Sequence, residues 1–127
     1  MVRLCDMVAR IKNAHSRRRL EVVVLGSKFC EEVLECLTLE GYIRGYSRIL
    51  GGQLKVFLKY KDNKAVIEHL SMLSRPGCRM YFSAQDLRNS FYRNEYIIFS
   101  SSQGIFLNKA LVLTELNIGG EALIKVR

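Results

Sequence analysis

The segment Ser100-Ser101-Ser102-Gln103-Gly104 carries a dense run of small hydrogen-bonding groups. A hydroxyl both donates and accepts a hydrogen bond, and the backbone N–H groups of an open segment can donate as well. Serine and glycine favour local hydrogen bonds and free φ angles over regular structure, so this segment predicts a loop. Such a loop can contact phosphates, ribose hydroxyls and base edges. Ordinary solvent-exposed loops have the same composition, and the segment alone favours that interpretation.

A second candidate is the segment Arg75-Pro76-Gly77-Cys78-Arg79-Met80-Tyr81. Two guanidinium groups lie beside a rigid turn and an aromatic ring follows, which suits phosphate contact combined with stacking on an unpaired base. A strand predicted over Arg79 to Phe82 would project Arg79 and Tyr81 from one side, because side chains alternate along a strand. A basic turn with Tyr81 in the core is the alternative, and the residues alone favour neither.

The sequence contains no local signature of catalysis or metal binding. It lacks the phosphate-binding glycine motifs and the G-x-S-x-G nucleophile motif. Its four cysteines, Cys5, Cys30, Cys36 and Cys78, form no C-x-x-C pair, and its two histidines are isolated. We therefore expect reduced thiols, no metal site, no cofactor and no enzymatic activity.

The charge balance indicates an anionic partner. Twenty Lys and Arg against twelve Asp and Glu give a formal net charge of +8, so the surface attracts polyanions in a salt-dependent way. Nucleic acid and an anionic membrane surface both fit that field. The first nineteen residues contain one acid and six basic residues: Arg3, Arg10, Lys12, Arg17, Arg18 and Arg19. By itself this cluster fits a solvated helix face as well as an anion-binding surface.

Length and hydropathy restrict the class of protein. The 127 residues, 49% of them hydrophobic, suffice for one compact domain or two very small ones. No apolar run approaches the ~20 residues of a membrane-spanning helix, and the start of the chain has no secretory stretch. We expect a soluble, intracellular protein.

The first half predicts helix, strand, helix, strand, strand. Apolar residues at helical spacing predict the first helix and its core face: Leu4, Met7, Val8, Ile11 and Ala14. Further elements are a strand over Leu20–Leu25, a helix over Lys28–Glu40 that buries Phe29 or Cys30, and a hairpin of Tyr42–Ile49 with Gln53–Tyr60. These elements pack most simply as two helices on one side of a three-stranded sheet. They predict an α/β domain over residues 1–62.

The second half predicts a mainly β domain with a short helix over residues 63–127. Asp62-Asn63 is a turn signal at its start. An extended segment follows over Ala65–Leu73, with a helix as the alternative. The predicted strands are Arg79–Phe82, Glu95–Phe99 and Glu121–Val126. The predicted helical segments are at most one turn over Asp86–Asn89 and a helix over Asn108–Leu116. The fold class is therefore α+β, with two small domains.

Seven segments of the sequence resemble the family of small-subunit ribosomal protein eight. They follow the family's order at nearly its spacing: Asp6-Met7-Val8-Ala9-Arg10-Ile11-Lys12-Asn13, Ser27-Lys28, Glu40-Gly41-Tyr42-Ile43, Leu58-Lys59-Tyr60, Arg75-Pro76-Gly77-x-Arg79-x-Tyr81, Ser100-x-Ser102-x-Gly104 and Gly119-Gly120-Glu121. The last three segments are the most specific. The resemblance covers essentially the whole chain.

The resemblance implies a structural constituent of the small ribosomal subunit that binds ribosomal RNA directly and supports subunit assembly and translation. It implies contact with the minor groove of an irregular helix in the central domain of that RNA. The residues carried over are Ser100, Ser101, Ser102 and Gly104 as the contact loop, Tyr81 beside it, Glu121 as a brace, and Arg10, Asn13 and Lys28 on neighbouring RNA backbone. Arg75 and Arg79 are added as RNA-binding residues from the chemistry of their own segment. The implied partners are ribosomal RNA and neighbouring small-subunit proteins, with no membrane and no small-molecule substrate.

The sequence departs from the bacterial pattern of that family at three places. Gln103 stands where a lysine is frequent, Arg93-Asn94-Glu95 replaces a glycine-rich stretch, and Leu107-Asn108-Lys109 replaces an Asp-Arg pair or similar. Arg93 or Lys109 can restore the missing charge. Because the chain is also rich in Tyr and Cys, we expect a mitochondrial ribosome, with a plastid or the bacterial cytoplasm as alternatives.

Three other functions fit parts of the sequence. An RNA-binding module outside the ribosome, such as a translational repressor or processing factor, has the same charge and loops. A small-molecule enzyme would need a titratable pair in a pocket. A basic α+β domain without RNA affinity is the least specific alternative.

Overall fold

The computed structural model describes residues 2–127, and the chain divides into two compact units, one ending at Glu68 and one beginning at His69. The fold is α+β, as the sequence predicts. The first unit contains α1 (Val2–Ser16), β1 (Glu21–Leu25), α2 (Lys28–Leu39), β2 (Ile43–Ile49), β3 (Gln53–Leu58), β4 (Tyr60–Lys61) and β5 (Lys64–Ala65). The second contains β6 (Leu70–Met72), β7 (Tyr81–Phe82), α3 (Ala84–Tyr92), β8 (Tyr96–Ser101), β9 (Gly104–Leu107), α4 (Lys109–Leu113) and β10 (Gly120–Val126).

The first unit is built on an antiparallel sheet in the order β1-β3-β2. Leu54, Val56 and Leu58 alternate along β3 on the buried face, because side chains of a strand project to opposite sides in turn. Helix α1 packs on β1, α2 packs on β2, and the two helices touch each other. The predicted core face of α1 is buried at all five positions.

Ser27 is the N-terminal cap of helix α2. The Ser27 hydroxyl accepts a hydrogen bond from the Cys30 backbone N–H at 3.1 Å, which is the usual way to stabilise a first helical turn. Of the two candidates for the core position, Cys30 is buried and Phe29 is half-buried. The buried face of α2 therefore includes Cys30, with Val33, Leu34 and Leu37.

The first unit extends past the Asp62-Asn63 turn, where the sequence analysis begins the second domain. Asp62 and Asn63 have φ angles of 53° and 63° and close the short hairpin of β4 with β5. The Val66 N–H then donates to the Lys59 carbonyl at 3.1 Å. The turn reverses the chain onto its own unit, so the first compact unit ends at Glu68.

The second unit is built on a sheet in the order β6-β10-β8-β9. The short strand β7 also pairs with β10, at Gly120 and Glu121, whereas β6 pairs with the other end of β10. Its core combines α3, α4 and this sheet in one cluster of buried side chains: Leu87, Ile97, Phe99, Leu111 and Ala122. The predicted strands over Glu95–Phe99 and Glu121–Val126 are present with shifted ends as β8 and β10. The predicted extended segment around Ala65–Leu73 contains β5 and β6.

Two helix predictions in this unit are wrong in length. The single turn predicted over Asp86–Asn89 is a nine-residue helix, α3. Ser83 and Asp86 form a reciprocal cap, in which the Ser83 hydroxyl accepts from the Asp86 N–H at 3.1 Å and the Asp86 carboxylate accepts from the Ser83 N–H at 3.2 Å. This capping box and burial of Leu87 stabilise more turns than propensity suggests. Helix α4 ends at Leu113, before the predicted Leu116.

Asn108 joins three elements of the second unit. Its side chain is fully buried. The carbonyl oxygen accepts from the Ile97 N–H at 3.1 Å, and the amide donates to the carbonyls of Leu87 at 3.2 Å and Glu95 at 2.8 Å. Every hydrogen-bonding group of the amide except one lone pair is used, which is what a buried polar side chain requires.

Replacing Asn108 with Ala should lower the free energy of unfolding by about 3 kcal/mol or more, because buried backbone groups lose their partner. Urea unfolding measures this change. The matched control is Asn89→Ala, since exposed Asn89 only accepts from Gln85 on the surface of α3 and should cost within about 0.5 kcal/mol. Equal losses in both variants would contradict the role given to Asn108.

His15 is a half-buried side chain of α1 in contact with Tyr60. The two ring centroids lie 5.6 Å apart in an edge-to-face arrangement. Neither ring nitrogen has a hydrogen-bond partner among residues 2–127. Burial without a partner disfavours the charged imidazolium, so the pKa of His15 lies below its ordinary value of 6.5.

This lowered pKa predicts a pH-dependent stability. Below the unfolded-state pKa of 6.5 the unfolded chain binds a proton that the folded chain resists, so stability is complete above that pH and falls as the pH is lowered. Unfolding in urea at roughly pH 7.5 and pH 5.5 should show this loss. His15→Phe keeps a ring against Tyr60 without titration, and its loss should be smaller. An identical pH dependence in both proteins would rule out His15 as the cause.

Candidate nucleic-acid interface

Three predicted site residues lie in one row across the sheet of the second unit. Glu121 at the start of β10 pairs with Ser100 on β8 and with Tyr81 on β7. Ser100 in turn pairs with Ile105 on β9. Directly opposed residues of antiparallel strands project to the same face, so Tyr81, Glu121 and Ser100 share one surface. We call these three residues the Tyr81–Glu121–Ser100 row.

The predicted loop over residues 100–104 is instead the tip of a hairpin. Ser100 and Ser101 belong to β8 and Gly104 begins β9, so the connection consists of two exposed residues, Ser102 and Gln103. Cross-strand pairing of Ser101 with Gly104 outweighs the weak strand propensity of both residue types. The prediction was wrong about the extent of the loop, because the exposed part contains only two residues.

The three serines of this hairpin have different roles. The Ser101 hydroxyl donates to the Gly104 carbonyl at 2.9 Å and accepts from the Gln103 N–H at 3.2 Å, so it stabilises the turn. The hydroxyls of Ser100 and Ser102 make no hydrogen bond to any part of the chain that the structure describes. These two hydroxyls therefore remain free to bind a ligand.

Two consecutive glycines allow the strands to approach closely. A Cβ at Gly120 would collide with the Ser100 carbonyl oxygen, and one at Gly119 would collide with the Phe82 carbonyl oxygen. Since these carbonyls belong to the strands that flank β10, any side chain here would separate Ser100 or Tyr81 from Glu121. Gly119-Gly120 is thus the reason that the row can form.

The Arg75–Arg79 segment forms a closed turn attached to β10. Arg75 and Cys78 exchange two backbone hydrogen bonds of 3.0 and 2.9 Å. Ser74 is fully buried; its hydroxyl donates to the Ala122 carbonyl at 2.6 Å and accepts from the Met80 N–H at 2.9 Å. These two hydrogen bonds hold Met80 beside β10, so β7 begins at the next residue, the exposed Tyr81.

The two arginines of this turn do not share a strand with Tyr81. Strand β7 starts at Tyr81, so the prediction that Arg79 and Tyr81 project from the same side of one strand was wrong. The short turn ends in bridging hydrogen bonds before Arg79, and regular pairing with β10 resumes only at Tyr81. Arg75 and Arg79 are exposed and form no ion pair within residues 2–127. Tyr81 is 69% exposed, so its ring is not in the core.

Glu121 has one carboxylate oxygen, Oε2, that is buried without a hydrogen-bond partner among the described residues. A buried acceptor without a donor costs about 1–3 kcal/mol. The oxygen belongs to the row beside Ser100 and Tyr81. The arrangement combines an acceptor, free hydroxyls and an exposed ring, with two exposed arginines in the chain segment just before that ring, and these groups can bind a polar, anionic, ring-containing ligand.

The first unit carries the remaining predicted site residues, Arg10, Asn13 and Lys28. Arg10 forms an ion pair with Asp6 at 2.8 Å and donates to the Val23 carbonyl at 3.4 Å. Arg10 and Asn13 line one cleft, and exposed Lys28 is at the first position of α2. All three offer donors to solvent, and the two on α1 lie together.

The sequence analysis missed two residues that position this site, Ser74 and Asn108, and gave no structural role to Gly120, which it named only within the Gly119-Gly120-Glu121 segment. Ser74 and Gly120 hold the turn and the strands, and Asn108 joins the elements around them. Ser74 directly precedes the Arg-Pro-Gly segment, which was a usable signal. Asn108 gave none, because its three bonds join backbone groups that are distant in sequence.

Metal and membrane features complete the description. Within residues 2–127, no group of three His, Cys, Asp or Glu side chains is placed to hold a metal ion. The four cysteines are free thiols, with Cys30 and Cys36 buried and Cys78 exposed. None of the described helices is both long and apolar enough to cross a membrane.

The fold and this surface define a basic α+β protein with an exposed polar surface as its candidate site. Comparison with known proteins then identifies the family. The family model for Ribosomal protein S8 matches residues 3–127. Three proteins named small ribosomal subunit protein uS8 are similar: those of Caulobacter sp. (strain K31) at 39% identity, Bartonella bacilliformis at 38% and Rhizobium rhizogenes at 37%. Each match covers 97% of this chain and 95% of the relative.

The chain belongs to the ribosomal protein S8 family, which confirms the resemblance found in the sequence. It is a structural protein of the small ribosomal subunit. The family is not one of enzymes.

Gly120→Ala tests the close approach of β8 and β10. The added methyl must displace the Ser100 carbonyl, so the free energy of unfolding should fall by about 1–3 kcal/mol. Gly77→Ala is the control, because nothing lies within 4 Å of its added Cβ, and it should change stability by only a few tenths of a kcal/mol. Comparable stability of both variants in urea unfolding would show that the strands do not need a glycine here.

Proposed function

We propose that this protein binds small-subunit ribosomal RNA directly, with the Tyr81–Glu121–Ser100 row and the adjacent Ser102-Gln103 turn against the minor groove of a helix in the central domain. Binding there supports subunit assembly and translation. The observation that carries the proposal is the row itself, because it joins the Ser100 hydroxyl, a carboxylate and an exposed ring on one face of a sheet. Family membership supports the same partner.

The chemistry of double-helical RNA fits this surface. Its minor groove is wide and shallow and displays 2′-hydroxyls and base edges, whereas its major groove is too deep and narrow for side chains. Small hydroxyls such as those of Ser100 and Ser102 can approach the 2′-hydroxyls without a bulky side chain between them. A two-residue turn is narrow enough to enter the groove. Because the Ser101 hydroxyl already bonds to the backbone of this turn, the turn loses little entropy on binding.

Tyr81 and the two turn arginines suit an irregular helix. An internal loop exposes an unpaired base, on which an aromatic ring can stack for about 1–3 kcal/mol. Arg75 and Arg79 lie in the chain segment just before Tyr81 and can pair with phosphates through their planar guanidinium groups. The ring recognises the irregularity, and the arginines add affinity that depends on salt.

Glu121 would then accept a hydrogen bond from the RNA. Its Oε2 is buried and lacks a donor in the described chain, so the carboxylate gains a hydrogen bond when the side chain turns outward to an RNA 2′-hydroxyl or exocyclic amine. A carboxylate in a polyanion interface repels phosphates, so this position favours a donor edge over the backbone. The role assigned from the sequence, a brace for the site, is extended to a direct contact.

The first unit would contact neighbouring RNA backbone through Arg10, Asn13 and Lys28, and neighbouring small-subunit proteins complete the surroundings. These contacts increase affinity but do not read base sequence. With a net charge of +8, the affinity of the whole protein should fall steeply as salt rises.

The cellular compartment is a separate prediction. The sequence indicates a mitochondrial ribosome, whereas the relatives named above are bacterial, so the bacterial cytoplasm fits as well. Cell fractionation distinguishes them: a mitochondrial protein sediments with small subunits from purified mitochondria. Recovery with cytoplasmic small subunits alone contradicts the mitochondrial prediction.

Ser102→Leu should weaken binding of the full chain to small-subunit ribosomal RNA by at least ~1 kcal/mol, because RNA polar groups lose their partner and an apolar side chain enters the groove. Filter binding at fixed salt measures the affinity. The control is Ser71→Leu, which replaces an exposed serine on β6 that pairs with Lys125, toward the opposite end of β10 from Glu121. Unchanged affinity in Ser102→Leu, or an equal loss in the control, would refute the contact surface.

A further inference from the structure

The side chain of Arg88 forms a polar link between α3 and the chain that leads into β10. Its Nε donates to the Leu111 carbonyl at 3.2 Å, and its Nη2 donates to the Leu116 carbonyl and to the Asn117 Oδ1, both at 3.1 Å. A guanidinium can make these bonds together because its N–H donors have a fixed planar arrangement. Arg88 therefore ties α3 to two places on the chain, the last turn of α4 and the segment after it.

The segment over residues 115–119 depends on this link for its hydrogen bonds. Within residues 69–127, its backbone bonds only to Arg88 and to the nearby Thr114 hydroxyl, which accepts from the Leu116 N–H at 3.4 Å. The side chains of Leu116 and Ile118 pack against the core of the second unit. Apolar contacts are not directional, so Arg88 provides the directional contacts that fix this segment.

The same segment also lies against the start of α3. A Cβ on Gly119 would collide with the Phe82 carbonyl oxygen and would lie 3.1 Å from the Ala84 nitrogen. Residues 116–119 therefore meet the region of α3 at two places, near Ala84 and at Arg88. Because β10 begins at the next residue and Glu121 is its second residue, the position of Glu121 depends on how this segment is held.

We propose that Arg88 positions Glu121 for RNA by fixing the segment that leads into β10. The inference rests on the proposed function and adds a residue that acts on the same site from outside the row. Arg88 is half-buried, and its N–H donors bind within the chain, so it is a positioning residue and not an RNA contact. Without it, the first residues of β10 should open locally more often, because fewer contacts hold them.

Amide hydrogen exchange of the free protein, measured by NMR, tests this local effect without RNA. In Arg88→Gln, the Ala122 N–H should exchange roughly fivefold faster, because lost hydrogen bonds favour local opening. This N–H donates to the Met80 carbonyl at 2.9 Å, directly after Glu121. The buried Ile97 N–H, opposite the far end of β10, is the control and should be unchanged. Faster exchange at both amides, or at neither, overturns the proposal.

Filter binding of the full chain to transcribed small-subunit ribosomal RNA, across a salt series, tests the link to Glu121. Arg88→Gln should weaken binding roughly fivefold without changing the salt slope, because no phosphate contact is lost. Arg44→Gln removes the same charge from an exposed position on β2 and should weaken binding clearly less. In a Glu121→Gln background, the Arg88 substitution should also cost less, because both changes act through one contact.

Three binding results overturn the positioning role: an equal loss in Arg44→Gln, a salt slope reduced by about 0.7–0.9 as for a lost phosphate contact, or the same loss in both backgrounds. Unchanged binding in Arg88→Gln, with Ser102→Leu still weakened, overturns it and leaves the proposed function standing. If the unmodified chain does not bind this RNA, the proposed function fails and the inference fails with it.

A second variant covers the case in which Arg88→Gln does not fold. Circular dichroism checks the fold of each protein. Asn117→Ala removes only one of the three bonds made by Arg88 and should give the same pattern of exchange and binding with smaller changes. Absence of that pattern in a folded Asn117→Ala protein, when Arg88→Gln cannot be measured, overturns the proposal.

Discussion

The antiparallel pairing of Glu121 with Ser100 on one side and Tyr81 on the other is the interaction on which the candidate site depends. Backbone hydrogen bonds set the spacing of the strands, and two glycines permit the approach. The hydrogen bonds of the Ser74 hydroxyl attach the Arg75–Arg79 turn to the same strand, β10. The candidate site is therefore built on a sheet, which holds its residues more precisely than a long flexible loop would.

The two units contribute different kinds of contact to the proposed function. The second unit offers hydroxyls, a carboxylate and a ring, which distinguish one RNA shape from another. The first unit would add basic and amide groups of Arg10, Asn13 and Lys28, which would bind phosphate in any sequence. A protein that combined only the charges would bind RNA without selectivity, and one that combined only the hydroxyls would bind weakly at cellular salt. The proposed interface needs both.

Features encoded within a few neighbouring residues were predictable from the sequence. The core face of α1 follows from the spacing of Leu4, Met7 and Val8. The basic residues at the end of α1 and the exposed arginines beside Pro76 follow from the local composition. The hairpin at Ser100 was missed because serine and glycine have weak strand propensity. The pairing of Ser101 with Gly104 and of Ser100 with the distant Glu121 stabilises these strands only in the folded sheet. The length of α3 was missed because a capping box was overlooked at Ser83. The buried hydrogen bonds of Asn108 were missed because their partners are backbone groups, which leave no pattern in the sequence.

A structure of the assembled small subunit containing this chain tests the central claim most directly. The account predicts Ser100, Ser102 and Glu121 within hydrogen-bond distance of minor-groove groups of one RNA helix, about 2.6–3.2 Å between heavy atoms, with the Tyr81 ring against an unpaired base. A subunit in which this face of the sheet points to solvent, or is covered by another protein with no nucleotide in contact, would contradict it.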